Sequence, residues 1–581
     1  MKRIPENSLP GLPPGTPESL PQLLSLAVSR YPEHGIAFVH PHKPLNYISF
    51  RQLEVQALSA LAGLQASGLG RGDLVILSLE SSEEIIPVLW ACFIGGIVPA
   101  LLQPPVSFTE HNPAAEKTEK VFNLLGTARV IHSHRHTQIW KESAIPPERR
   151  MDVKSLSGHH NIAVRVETGG NDLAMIQFSS GSTGDPKGVM LTHRNIIVNT
   201  ADIIDGIKLE ASDVSVNWMP LYHDMGLIGF HLTPVYAGVT QYFIDPVDFV
   251  KNPSLWLETM SAVRCTISAC PNFGQMIVNR HLGRKPGKAW DLSSLRILFN
   301  GAEPISVTTM RTFLEGLQPF GLNPSAMFPA YGLAEATLAV TFPARHTGAG
   351  VRAFLREPLA RDGRVAVSAS GNPGAIELVN LGKPLPHCRV MIADDRQQPV
   401  EPGTVGHVLV RGPNVMKGYF ADTGGSGRGG EDEWLHTGDL GFTWEDNLYV
   451  TGRSKDIIFL NGMNHYAHDL ESLAARAGLV TEGKAVVTGY FDETEGRDRM
   501  VVFLVGSDNE ETRALCRDIR YYFATVAGIH ADIFVPVRSA DIPRTSSGKI
   551  RRFRLTERYL RGELRRMELQ SDAGLRISQK S

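Results

Sequence analysis

Cysteine is scarce in this chain and unpatterned: Cys92, Cys265, Cys270, Cys388 and Cys516 are the five in 581 residues, and no two form a C-x-x-C pair. This argues against a disulfide framework or a zinc ribbon and for reduced thiols, so a cytoplasmic setting is expected. A basic surplus is lacking too. Lys and Arg number 58 against 60 Asp and Glu, a formal net charge of −2. Nucleic acid is therefore not an expected partner, because a binder of phosphate backbones carries excess positive charge. Met1-Lys-Arg opens a polar, proline-rich leader with no apolar core segment, so no secretory signal is expected. The long apolar run IIPVLWACFIGGIVPALL (85–102) is broken by Pro87, Gly95-Gly96 and Pro99. It predicts a buried helix, a turn and a core strand rather than a membrane span.

A chain of 581 residues exceeds one hydrophobic core, and roughly three to four compact units are expected. After a loose leader over residues 1–20, helical and strand patterns alternate: PQLLSLAVSRYPE, FRQLEVQALSALAGLQASG, then DLVILSLE. That order predicts α/β architecture, parallel sheets with covering helices. From about residue 381, RVMIAD, HVLVRG and NLYVTG are closely spaced strands, a smaller β-rich subdomain ending near 455. Glu445-Asp446-Asn447 marks a hairpin turn, GGSGRGG (424–430) a loop tip, and the segment after 565 a tail. His132, His134 and His136 alternate as strand-borne metal ligands could, but no carboxylate or cysteine stands at matching spacing. A polar surface segment is expected there.

SSGSTGDPKG (179–188) gathers glycines, hydroxyls and one lysine in a single loop. Gly181, Gly184 and Gly188 let the backbone turn tightly and present N–H groups to an oxyanion. Ser179, Ser180, Ser182 and Thr183 add donors, and Lys187 adds a point charge. A Walker loop is excluded, since the residue five past Gly181 is Pro186 and Lys187 is followed by Gly188. Apolar LAMIQF precedes the loop and GVML follows it, so it joins two strands; Thr192 is placed to cap the next helix. In HTGDLG, Asp439 suits a ribose, because a carboxylate accepts from both the 2′- and 3′-hydroxyls, and Arg453 across the hairpin reaches the same ribose or the α-phosphate.

Six further motifs follow in order: WMPLYHDMG (218–226), NGAEP (300–304), YGLAEAT (331–337), WLHTGDLG (434–441), GRSKD (452–456) and PRTSSGK (543–549). With the serine-rich loop, this series resembles the acyl-adenylate-forming superfamily of acyl-CoA synthetases, luciferases and nonribosomal peptide adenylation domains, over residues of about 20 to 560. The resemblance implies an α/β fold. Its large N-terminal domain (21–455) would hold two doubly wound α/β subdomains plus the β-rich one, and a small mobile α+β C-terminal domain (456–565) would carry the catalytic lysine. Lys455 matches the hinge residue. The implied cofactors are ATP and Mg2+. The resemblance casts Lys549 as the catalytic cation at the α-phosphate, Glu335 as the magnesium-associated carboxylate, and His223 as the group that orients the acyl carboxylate. Tyr331 would stack on adenine beside Gly332, with Asn300, Gly301, Ala302 and Glu303 as the opposite wall, and Thr337 would touch a phosphate or the ribose.

Within the superfamily, YHDMGLIG, SACPNFG, LFNGAEPI, YGLAEATLAV and GMNHYAHDLE are most similar to the fatty acyl-AMP ligases, which load fatty acids onto carrier proteins. Residues 342–381, with FLREPLARDGRV, resemble the insertion of that branch, which is thought to brace the domains against the coenzyme A reaction. The middle of the segment and LGKPLP depart from the branch pattern. The implied partners are a fatty or related carboxylic acid and a separate acyl carrier protein, for which the basic stretch ERYLRGELRRMEL (557–569), taken as a helix, offers a docking face. A coenzyme A ligase, an amino-acid adenylation domain and a silent adenylate-binding regulator are the alternatives.

Overall fold

The computed structural model describes residues 11–105, 112–157, 162–179, 186–283, 289–422, 433–460, 463–545 and 550–567. It is α/β, a large N-terminal domain followed by a small C-terminal one. A seven-stranded sheet runs in the order Met327–Pro329, Ile297–Asn300, Ile267–Ala269, Val214–Asn217, Thr240–Ile244, Gly35–Val39, Asn46–Ser49. All neighbours are parallel except the last pair. A second sheet, Val98–Leu101, Leu74–Ser78, Arg129–His132 and Arg150–Asp152, is wholly parallel. Its strands Val98–Leu101 and Leu74–Ser78 are nearly continuous apolar runs, as sheets covered on both faces require.

The apolar run at 85–102 resolves as anticipated into a buried helix, Ser82–Ile94, and the strand Val98–Leu101. No helix of the described residues is long and apolar enough to cross a membrane. The serine-rich loop joins the antiparallel strands Leu173–Ser179 and Lys187–Thr192. Thr192 caps the helix His193–Ile207, its hydroxyl accepting from the Asn195 amide while Asn195 reaches back to the Thr192 N–H.

The β-rich region is a four-stranded antiparallel sheet, Arg389–Ala393, Gly406–Arg411, Leu435–Trp444 and Asn447–Arg453. Its last turn has φ of 50° at Glu445 and 61° at Asp446, the left-handed pair that matches strand twist in a two-residue hairpin. Residues 351–379 form their own three-stranded sheet with the helix Arg356–Asp362 on its edge. Phe354 from this sheet packs edge-on against Phe442 and Tyr449 of the β-rich sheet.

The C-terminal part carries the strands Ala485–Asp492, Arg497–Val505 and Ile533–Val537 and the helices Ala467–Arg476, Glu510–Ala527 and Arg552–Leu560. Two of its apolar clusters are separate from the main cluster of the large domain, while Tyr466 joins the cluster of Phe354, Phe442 and Tyr449. All five cysteines are free and buried. Two expectations need correction. The basic stretch 557–569 is not one helix: the helix is Arg552–Leu560, and Gly562 beyond it has φ of 77°, a backbone turn that a helix cannot continue through. Nor is 132–136 a polar surface segment. His132 and His136 are buried, His132 stacked on Trp140, while His134, paired with Asp152 at 2.5 Å, and Arg135 are exposed.

Candidate active site

Three parallel strands end at one crevice. Val214–Asn217 leads to Trp218 and His223, Ile297–Asn300 to Gly301 and Glu303, and Met327–Pro329 to Tyr331 and Glu335. Ligands of open α/β sheets bind beyond such carboxyl ends. Here the crevice deepens into a cavity of about 780 Å³, lined as well by residues 452–456, 544–545 and 550–553.

Asp439 and Arg453 face each other across the hairpin ladder, with Arg453 Nε 3.3 Å from Asp439 Oδ1. Tyr331 donates its hydroxyl to Asp439 Oδ2 at 2.7 Å. Burial first, and then the Asp439 carboxylate, push the Tyr331 phenol well above its ordinary value, so it remains a donor. Asp439, with Glu335 and Asp456 adding to it, holds the Arg453 guanidinium above its own. The carboxylate is thus oriented from two sides and retains lone pairs for further donors.

A second chain of contacts joins the phosphate loop to the YGLAEAT motif. The Lys187 ammonium sits 4.9 Å over the Tyr419 ring, and the Tyr419 hydroxyl donates to Glu335 Oε1 at 2.8 Å. Tyr419 belongs to a two-residue strand hydrogen-bonded to Lys187–Thr192, Gly418 opposite Met190. Sequence reading missed it; its only signal was an aromatic residue behind a glycine in KGYF. The Glu335 backbone carbonyl accepts from Met416 N at 2.9 Å, tying the motif to the same segment.

His223 lines the cavity, its Nδ1 2.7 Å from Asp224 Oδ1. The Met225 N–H also reaches this nitrogen, which accepts from it at 3.4 Å. The following segment, Met225–Leu232, is wound as a π-helix, a geometry concentrated at functional sites. Gly226 permits it: a Cβ there would lie 2.2 Å from the Pro220 carbonyl oxygen.

Ala302, Glu303 and Gly332 also face the cavity. Ala302 has φ of 70°, a strained conformation for a residue with a side chain. Asn300, Gly301 and Thr337 do not line it. Asn300 is fully buried, and its carboxamide has no hydrogen-bond partner among the described residues. Gly301 lies against the Ala330 carbonyl, 2.6 Å from where a Cβ would be. Thr337 is fully buried, and its hydroxyl donates to the Asn414 carbonyl at 2.7 Å, so it is committed to the fold rather than directed at a ligand. Ser179 pairs with Lys187 at the loop base. Ser180, Gly181, Ser182, Thr183, Gly184 and Lys549 lie outside the described residues.

The cavity has an apolar reach as well, formed by Ile203, Phe230, Phe299, Leu338, Phe342 and Leu381. A charged, aromatic-walled compartment that opens into a hydrocarbon-lined one is the site of an enzyme acting on an amphipathic substrate together with a polyanionic one. Residues 24–420 match the family described as AMP-binding enzyme, and the chain belongs to that family; it is an ATP-dependent, adenylate-forming ligase. The medium-chain-fatty-acid [acyl-carrier-protein] ligase JamA of Moorena producens is 29% identical over 92% of this chain and 94% of its own. The 4-hydroxyphenylalkanoate adenylyltransferase of Mycobacterium tuberculosis is 33% identical over 95% and 93%. A solved structure from work on fatty acyl-adenylate ligases of E. coli and L. pneumophila superposes with a TM-score of 0.85 at 30% identity, over 94% of this chain and 98% of that one.

Proposed function

We propose that the protein activates a fatty or related carboxylic acid with ATP and passes the acyl group to the phosphopantetheine thiol of a separate acyl carrier protein. A carboxylate oxygen attacks the α-phosphorus, the bond from that phosphorus to the β-bridging oxygen breaks, and pyrophosphate leaves. The thiol sulfur then attacks the acyl carbonyl, the acyl–oxygen bond breaks, AMP leaves, and the thiol proton passes to solvent. The observation that carries this reading is the single cavity that joins the Asp439–Tyr331–Arg453 cluster to the apolar reach at Phe230 and Leu338.

In this reading Asp439 takes the ribose hydroxyls, Arg453 the ribose or α-phosphate, Tyr331 the adenine face, Lys187 the outer phosphates and His223 the acyl carboxylate. Lys549 neutralises charge developing at the α-phosphorus. Glu335 fits a magnesium ligand: it faces the cavity, and among the described residues its side chain is engaged by Tyr419 at Oε1. A bound magnesium ion would neutralise charge on the departing pyrophosphate. Residues 21–455 and 456–565 act as the two domains, with Lys455 at the hinge; free buried thiols suit a cytoplasmic location.

The segment 342–381 braces the two domains in this proposal. Its Arg356 donates from Nε and Nη2 to the two oxygens of Asp469, at 2.6 and 3.1 Å, inside the interface. Pyrophosphate exchange over a panel of fatty and aryl-alkanoic acids tests adenylation, and mass spectrometry with a holo-carrier or coenzyme A as acceptor tests the transfer. Exchange with medium or long alkanoic acids and acylated carrier are expected. No exchange with any acid would refute the activity, and efficient acyl-CoA formation would refute the carrier as acceptor.

A further inference from the structure

Beyond Arg356 and Asp469, the two domains meet at a second place, where the helices Asn272–Leu282 and Val307–Leu317 of the large domain both face the cavity. These helices are tied to each other. Asn279 Nδ2 donates to the Thr309 carbonyl at 3.1 Å, and the Ser306 N–H donates to Asn272 Oδ1 at 3.1 Å. Ser306 also caps the second helix, its hydroxyl accepting from the Thr309 N–H at 3.1 Å. Thr309 is thereby fixed in the first helical turn, and it is buried.

A turn of the small domain docks on this wall. Residues 481–484 are closed by the Lys484 N–H, which donates to the Thr481 carbonyl at 3.0 Å. Glu482 Oε2 accepts the Thr309 hydroxyl, a hydroxyl-to-carboxylate bond made at the positive end of the helix, where an anion is favoured. Gly483, with φ of 77°, brings the turn so close that a Cβ there would lie 3.0 Å from Met276 Cε and 3.7 Å from Arg544 Nη2. Arg544 bridges Ile550, and Lys549 stands between those two residues in the chain. Gly483 is thus packed at once against a helix of the large domain and against the base of the segment that carries the proposed catalytic lysine. Glu482, Gly483, Met276 and Arg544 all line the cavity.

A hinge fixes one point of a mobile domain and leaves its rotation free, so a second contact is needed to set the angle. The precision matters, because a misplacement of about 1 Å can cost about 10² in rate. We propose that Thr309 and Glu482 are positioning residues for adenylation: their bond, with Gly483 seated between Met276 and Arg544, sets the angle at which the small domain presents Lys549. The proposal rests on the adenylation reading for its chemical readout, and neither residue is assigned a contact with the reacting atoms.

Pyrophosphate exchange and limited proteolysis across residues 453–456 test it on the full chain, for the parent protein, Thr309→Val, Thr309→Ser, Glu482→Ala and the Thr309→Val, Glu482→Ala pair. Thr309→Val should lower kcat for exchange about tenfold, roughly the worth of one hydrogen bond to a charged group. KM for ATP should not move, because the nucleotide contacts proposed for Asp439 and Tyr331 stay in place. Thr309→Ser keeps the donor and should run at the parent rate. The paired variant should be no slower than the slower single one, since both changes remove the same bond. Cleavage should quicken in every variant that lacks the bond and stay at the parent rate in Thr309→Ser. Parent kcat and cleavage in Thr309→Val overturn the proposal, as do additive losses in the paired variant, a loss that appears in KM for ATP instead of kcat, or a Thr309→Ser protein as slow as Thr309→Val. Absent exchange in the parent protein would refute adenylation and leave the cleavage pattern as the test of the contact.

Discussion

Arg356→Ala tests how the small domain is held. The Arg356 and Asp469 side chains are 8% and 4% exposed, and the guanidinium also donates to the Pro373 and Ala375 carbonyls at 3.1 and 3.0 Å. Truncation leaves Arg476, 3.8 Å away, as the remaining arginine paired with the Asp469 carboxylate among the described residues. Removing one partner of a buried pair costs about 3–5 kcal/mol. The protein can escape that cost by releasing the small domain, which returns Asp469 to water, so the ratio of docked to released protein should fall by about two to nearly four powers of ten. Limited proteolysis across residues 453–456 reads the release, and acyl-CoA yield with coenzyme A as acceptor should rise with it. Arg356→Met combined with Asp469→Leu should return cleavage towards the parent rate, since an apolar pair of similar size often replaces a buried ion pair at little cost. Unchanged cleavage and unchanged acyl-CoA yield in a folded Arg356→Ala protein would refute the reasoning.

Asp439→Ala should raise the KM for ATP with a smaller effect on kcat, because a ribose contact is made in ground and transition states alike; an unaltered KM would remove Asp439 from the nucleotide site. Lys549→Ala should lower pyrophosphate exchange by about 10²–10³ while ATP still binds, as expected for a contact made to developing charge; near-normal exchange counts against that role. Burial holds His193, His231, His465 and His468 at about 4, against an ordinary value near 6.5 in the unfolded chain. The unfolded state therefore binds more protons between these values. Their contribution to stability is full above about pH 6.5 and falls towards pH 4 by up to about 1.4 kcal/mol per unit per histidine. Burial raises the Asp202 and Asp245 carboxyls, which offsets part of this. Denaturant melts at pH 7.5, 6 and 5 should show the decline, and a flat profile would contradict it.

Local chemistry made some elements legible and left others hidden. The Thr192 cap, the Glu445-Asp446 turn and the strands around the phosphate loop each depend on residues within a few positions of one another, so the sequence carries their signal. Asp439 and Arg453 could be paired because one short hairpin separates them. Thr337 stands two residues from Glu335, yet its side chain is taken up by Asn414, a partner remote in sequence. Tyr419 reaches Glu335 only because its strand pairs with Lys187–Thr192. The histidines at 132 and 136 read as polar, but burial beside Trp140 depends on how a helix covers the strand.

The burial of every cysteine turns the thiols into reporters of opening. Burial raises Cys265, Cys388 and Cys516 to about 12 and lifts Cys92 and Cys270 above the ordinary thiol value as well. A thiol-reactive reagent added to the folded protein therefore finds almost no thiolate and little access. Labelling must wait for the surrounding structure to part, so its rate measures how often that happens. Cys516 sits in the apolar cluster of the small domain, whereas Cys92, Cys265, Cys270 and Cys388 belong to that of the large one. Mass spectrometry of the labelled peptides would time the breathing of each domain separately in the native sequence, with no engineered probe.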